Sequence, residues 1–94
     1  MKVRWHPLAR TDFAELITYI AADNPKAAYR MHNLIRKQIG ILATHPEAGR
    51  VGRVPGTREL VIAGTPFIAA YRVTTKVVTI LRLLHGARRW PRAF

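Results

Sequence analysis

Ninety-four residues suffice for one domain with a single modest core and are too few for two. Sixteen Lys and Arg, twelve of them Arg, stand against five acids and give a net charge of +11. That balance predicts attraction to anionic partners and favours bidentate contact with carboxylate or phosphate over diffuse membrane adhesion. With no cysteine, disulfides and thiolate chemistry are excluded; no signal peptide or membrane span is visible either, so a cytoplasmic location is expected.

Residues 2 to 6 carry Val3 and Trp5 in loose alternation and predict a short strand ending at His6-Pro7. Pro7 suits the first turn of a helix, in which Ala9, Phe13, Leu16, Ile17 and Ile20 fall at helical spacing with Asp12 and Glu15 on the opposite, wet side. Asp23-Asn24-Pro25 ends it and starts the next, because Asn is a good N-cap and Pro a good first helical residue. The second helix has the apolar stripe Ala28, Met31, Ile35, Ile39 and Leu42, so the two form an antiparallel hairpin. His45-Pro46 stops it. The segment PEAGRVGRVPG reads as a surface loop bearing Arg50 and Arg53. Three strands follow, over residues 58 to 63, 67 to 73 and 77 to 84, joined by tight turns. The order β-α-α-β-β-β predicts an α+β fold of two layers, the helical hairpin lying on one face of a small antiparallel sheet.

No acid follows Glu59, and both sides of the last strands carry large apolar groups. Phe67, Tyr71 and Val73 oppose Ile68, while Val78, Ile80 and Leu84 oppose Leu81 and Leu83. A solvated sheet face normally alternates cleanly with polar residues. Two readings follow: the N-terminal strand or the C-terminal tail covers the outer face, or that face is a groove for another chain.

Cleavage of an RNA phosphodiester needs a base, an acid and a cation, and Glu59, Tyr71, Arg72, Arg82, His85 and Arg88 supply those types. A strand-end histidine such as His85 more commonly bonds a neighbouring backbone group. The tail Arg88-Arg89-Trp90-Pro91-Arg92 sets arginines around an indole, suited to phosphate contact or to a partner's pocket. His6, His32 and His45 lack metal-ligand spacing, and no phosphate-binding loop is present. A plain DNA-binding module is a further possibility, weakened because no helix concentrates its basic residues at one end.

The segments VRWHPLA, YIAADNP, PEAGRVGRVPGTRELVI, GTPFIAAYRV and ILRLLHGARRWP together resemble the RelE/ParE superfamily of small toxins of type II toxin–antitoxin systems, over nearly the whole chain. The resemblance implies the same element order and a cognate acidic antitoxin, ParD- or RelB-like, which forms a hetero-oligomer with the toxin and reaches operator DNA on its behalf. RelE-like members are ribosome-dependent mRNA endonucleases; their lysine positions correspond here to Glu59 and Val61, their strand arginine to Ile68, and no tyrosine follows Tyr71. Only Arg88 matches. The chain is therefore more similar to ParE-like members, which inhibit DNA gyrase by binding. The resemblance implies target contact through Arg82, Arg88, Arg89 and Trp90, antitoxin contact through Phe67, Ile68, Tyr71, Arg72 and Leu81, and no cofactor or metal. The rival is a metal-independent endoribonuclease using Glu59, Arg82, His85 and Arg88.

Overall fold

A computed structural model describes residues 1–94. Local capping sets the helical layer. Helix α1 (Pro7–Asp23) starts where His6 Nδ1 accepts the Leu8 N–H at 3.1 Å. It ends where the Asn24 N–H reaches Ile20 O at 2.9 Å. The Asn24 Oδ1 atom accepts the Ala27 N–H at 3.0 Å and Pro25 opens helix α2 (Pro25–Gly40), so one residue makes the whole corner. A 3-10 turn (Ile41–Ala43) extends α2 and carries the buried Leu42. Ala28, Ile35, Ile39 and Leu42 are buried as their spacing predicts. In α1 only Ala9 is buried, which leaves Phe13, Leu16, Ile17 and Ile20 half-exposed along its length.

Strands β1 (Lys2–Trp5), β2 (Arg50–Val51), β3 (Arg58–Val61), β4 (Phe67–Val73) and β5 (Val77–His85) form one sheet in the order β1-β5-β4-β3-β2. The sheet is mixed rather than wholly antiparallel, because β1 pairs in parallel with β5, Lys2 opposite Val77 and Trp5 opposite Ile80. Nothing local in the sequence encodes a pairing between strands so far apart. Strand β2 lies inside the segment read as loop; its two residues are both exposed and offer no alternation to recognise.

A β-bulge between Ala70 and Tyr71 sets Ala70 opposite Arg82 but Tyr71 opposite Ile80, leaving Leu81 as the extra residue. The consequence is a change of face. Val78, Ile80 and Leu83 share one core with Ala69, Tyr71, Ile35 and Ile39, so Leu83 joins Ile80 and Leu84 leaves it, the reverse of simple alternation. Ile68 and Leu84, paired across β4 and β5, are buried outside that core, as are Ala70 and Leu81.

Two polar contacts fix the loops. The Tyr71 hydroxyl donates to Pro46 O at 2.7 Å and accepts the Gly49 N–H at 2.8 Å. A Cβ on Gly49 would lie 2.6 Å from that oxygen, so only glycine fits the approach. The Gln38 side chain donates to Ala63 O and accepts from Ala63 N, at 2.9 and 2.8 Å, tying α2 to the end of β3. No helix is long and apolar enough to cross a membrane.

Candidate functional site

Glu59, Ala70 and Arg82 stand in register on β3, β4 and β5, which puts the two charged residues about 10 Å apart at the backbone. Their side chains engage different partners, and that decides what the row can do. Glu59 is 2% exposed. Its carboxylate accepts Arg53 N at 2.8 Å, Arg53 Nε at 3.0 Å, Arg53 Nη2 at 3.1 Å and Arg50 Nη2 at 3.0 Å. Burial pushes this carboxyl up, but the Arg53 side chain and backbone, and then Arg50, outweigh it and hold the pKa at about 2. A carboxylate that acidic is a poor base at neutral pH, and the structure sets Glu59 as the counterion of Arg50 and Arg53.

Arg82 is held in the same way from the other side. Its Nε and Nη2 meet the two oxygens of Asp12 at 2.8 and 3.0 Å, and Asp12 also accepts the Leu83 N–H at 3.0 Å. The side chains are 19% and 10% exposed, and the Asp12 hydrogen bonds raise the Arg82 pKa above its ordinary value. The need for this pair follows from the sheet: β1 stops at Trp5 and its ladder closes with His6 N to Ile80 O at 2.8 Å. Beyond Ile80 that edge of β5 has no strand partner, and Asp12 of α1 supplies the missing acceptor. Asp12, read from sequence as a wet-face residue, is therefore the anchor of α1 on the sheet. Arg82, expected from sequence as a target contact or a transition-state cation, has its Nε and Nη2 engaged internally by Asp12.

His85 ends β5 in an exposed position, its ring edge-on to Phe67 at 5.6 Å. Its Nδ1 accepts the Ala87 N–H at 3.0 Å, so the neutral ring carries its proton on Nε2 and has no free lone pair to offer. This removes His85 as a ready base. The chain then turns, with Arg88 N donating to His85 O at 3.0 Å. Trp90 Nε1 reaches the same carbonyl at 3.3 Å, and the Arg53 guanidinium lies 3.7 Å over the indole. Arg88, Arg89 and Arg92 are exposed and without an ion-pair partner, presented by a tail that Glu59 holds in place through Arg53.

The expected antitoxin groove is partly closed. Tyr71 is 0% exposed, Ile68 7% and Leu81 9%. Tyr71 faces the helical core, and the bulge turns Leu81 beneath the C-terminal segment, so none of the three is an open contact surface. Phe67 and Arg72 remain half-exposed. Pro91, Ala93 and Phe94 frame a cavity of about 310 Å³ with Leu8, Arg72 and Leu81, which places the tail over the outer face, the plainer of the two sequence readings. The exposed Arg53 and the half-buried Asp12 are the residues the sequence reading missed. The only signal for either was an acid three residues after Ala9 in α1 and an arginine six residues before Glu59.

Comparison with known proteins gives a consistent picture. A family described as the ParE toxin of the type II toxin–antitoxin system parDE matches residues 3–90. The candidate toxin Y4kP of Sinorhizobium fredii is 39% identical over 96% of this chain and 93% of its own length. Toxin RelE2 of Caulobacter vibrioides is 34% identical over 93% and 97%. A solved structure of the chromosomal ParDE toxin–antitoxin system from P. aeruginosa superposes with a TM-score of 0.82 at 30% identity, covering 90% of this chain and 95% of the other.

Proposed function

The chain belongs to the ParE toxin family and is the toxin of a type II toxin–antitoxin module, and on that premise we propose that it acts by binding DNA gyrase, without chemistry of its own. The observation that carries this reading is the disposition of the charged row. Glu59 is locked by Arg50 and Arg53, Arg82 by Asp12, and the Nδ1 of His85 by Ala87. What is left open to a target is Arg88, Arg89, Arg92 and the half-exposed Trp90. Unpaired arginines beside a partly buried indole suit a protein surface that is acidic at its rim and apolar at its centre. The partner that restrains the toxin is its antitoxin, through which operator DNA is reached, and both partner and target place the activity in the cytoplasm.

Arg88→Ser with Arg89→Ser tests the target contact. Supercoiling by purified gyrase should be inhibited by the wild-type chain, and the double variant should need at least about tenfold more toxin, roughly 1.4 kcal/mol, at unchanged melting temperature. Gyrase indifferent to excess wild-type toxin would refute the target. The relative named RelE2 and the correspondence of Arg88 to a nuclease position support a second reading, ribosome-dependent mRNA cleavage. Primer extension on mRNA from cells making the toxin would then reveal defined cuts inside reading frames, and our reading expects none.

A further inference from the structure

Arg88 and Arg89 sit on a small closed loop. Gly86 N donates to Pro66 O at 2.8 Å, Ala87 N to His85 Nδ1 at 3.0 Å and Arg88 N to His85 O at 3.0 Å. These bonds hold the loop on the near side of the arginines. On the far side it is closed by Trp90 Nε1, which reaches the same His85 carbonyl at 3.3 Å, a long bond for N–H to O and a weak one. The indole has a second hold, the Arg53 guanidinium 3.7 Å above its ring. Arg53 comes from a closed loop of its own, in which Gly52 N donates to Thr57 O at 2.8 Å and Val54 and Thr57 are buried. Its backbone N, Nε and Nη2 all bind the Glu59 carboxylate. The clamp is therefore fixed independently of the tail. We infer that Arg53 is a positioning residue for the toxic contact, its guanidinium clamping Trp90 as a latch that holds Arg88 and Arg89 in a preset arrangement.

The inference rests on the reading of Arg88 and Arg89 as target contacts, and three features carry it further. Arg53 has Nε and Nη2 engaged by Glu59 and one face on the indole, so its geometry suits holding rather than reaching. Trp90 has its N–H on His85 and one face under Arg53, which makes it an anchor of the loop although sequence set it among the target contacts. A planar guanidinium binds a carboxylate edge-on and stacks face-on at once, and an ammonium does not. Long exposed side chains such as Arg88 and Arg89 lose freedom when they dock, and a loop already closed lowers that cost.

The test is a double-mutant cycle on the full chain, read as the toxin concentration that half-inhibits gyrase supercoiling. Trp90→Leu and Arg53→Leu should each raise it by about tenfold, and Arg53→Lys by about threefold, since it keeps the charge but not the two-sided geometry. In the Arg88→Ser, Arg89→Ser background the same changes should cost less than about twofold, because the side chains they position are gone. In a Trp5→Phe background, Arg53→Leu should shift Trp90 emission to the red. Thermal melts confirm that each variant is folded at the assay temperature; if Arg53→Leu is not, Trp90→Leu carries the cycle with the Arg53 pairing to Glu59 intact. Losses that persist in full in the double-serine background overturn the inference and make Arg53 or Trp90 a direct target contact. Potency within twofold of wild type in folded Trp90→Leu overturns it as well, as does Trp90 emission unmoved by Arg53→Leu. Wild-type toxin without effect on gyrase refutes the target alone, and the same cycle scored as growth arrest in cells lacking the antitoxin then decides the latch.

Discussion

Replacing Glu59 by Gln keeps the shape of a 2% exposed side chain and removes only its charge. The Gln oxygen can still accept one of the four close donors from Arg50 and Arg53, while its amide N–H groups oppose the others. A carboxyl lowered from 4.5 to about 2 carries, at ~1.4 kcal/mol per pH unit, about 3 kcal/mol of folding free energy. The two arginine side chains are 56% and 41% exposed, so solvent screening brings the expected loss to about 2 kcal/mol. For a domain of this size that is roughly 8–16 °C in melting temperature. The folded pKa lies below the unfolded one, so the stabilisation is fully present above pH 4.5 and fades as pH falls through 2. Thermal melts followed by circular dichroism at pH 7, 4, 3 and 2 should show wild type and Glu59→Gln separated at neutral pH and convergent at pH 2. The release of Arg53 should also free Trp90, seen as a red-shifted emission in a Trp5→Phe background. A variant that melts within about 2 °C of wild type at pH 7, or a gap that persists undiminished at pH 2, would refute the reasoning. Lost toxicity at unchanged stability would reinstate Glu59 as a chemical group.

Two further predictions test the other internal contacts. Asp12→Ala leaves Arg82 without its partner and the Leu83 N–H without an acceptor, and should cost about 3 kcal/mol in urea unfolding; adding Arg82→Met to it should recover part of that loss, since the unpaired charge is then gone. Tyr71→Phe leaves Gly49 N–H and Pro46 C=O unsatisfied and should cost about 1–3 kcal/mol at pH 7. Burial raises the Tyr71 pKa above 10.0, so the wild type loses stability as pH rises past 10 and the gap to Tyr71→Phe should narrow in alkaline melts.

The helical layer was legible because its signals are local. Asn24-Pro25 caps and starts a helix within two residues, and the stripe from Ala28 to Leu42 is a period that any window along α2 displays. The outer-face assignments failed at one place, the bulge at Leu81. A single extra residue reverses the faces of everything after it, and no residue type at 80 to 82 marks it. Leu83 and Leu84 therefore exchanged sides, and Ile68 and Leu81 were taken for an open groove that the tail covers. Asp12 was misread for a related reason: whether a helix acid is wet depends on what lies opposite it, here the strand edge left bare where β1 ends. His85 needed no tertiary knowledge, since its contact with Ala87 N spans two residues and follows the ordinary behaviour of strand-end histidines.

The distribution of charge supplies the last step. Asp12 and Glu59 engage Arg50, Arg53 and Arg82, while the other thirteen basic residues form no ion pair and share the surface with only Glu15, Asp23 and Glu47. Such an excess destabilises the compact chain through self-repulsion, so the fold does not need it. On the proposed reading, a partner of opposite charge does. Cations dispersed over both layers create a field that hastens encounter whatever the approach, and that field weakens with ionic strength. Residence is a short-range matter and falls to surfaces where apolar groups and unpaired arginine coincide. Speed and strength of neutralisation are on this reading carried by different residues, and reversing a remote exposed charge such as Lys26 should slow association without altering dissociation.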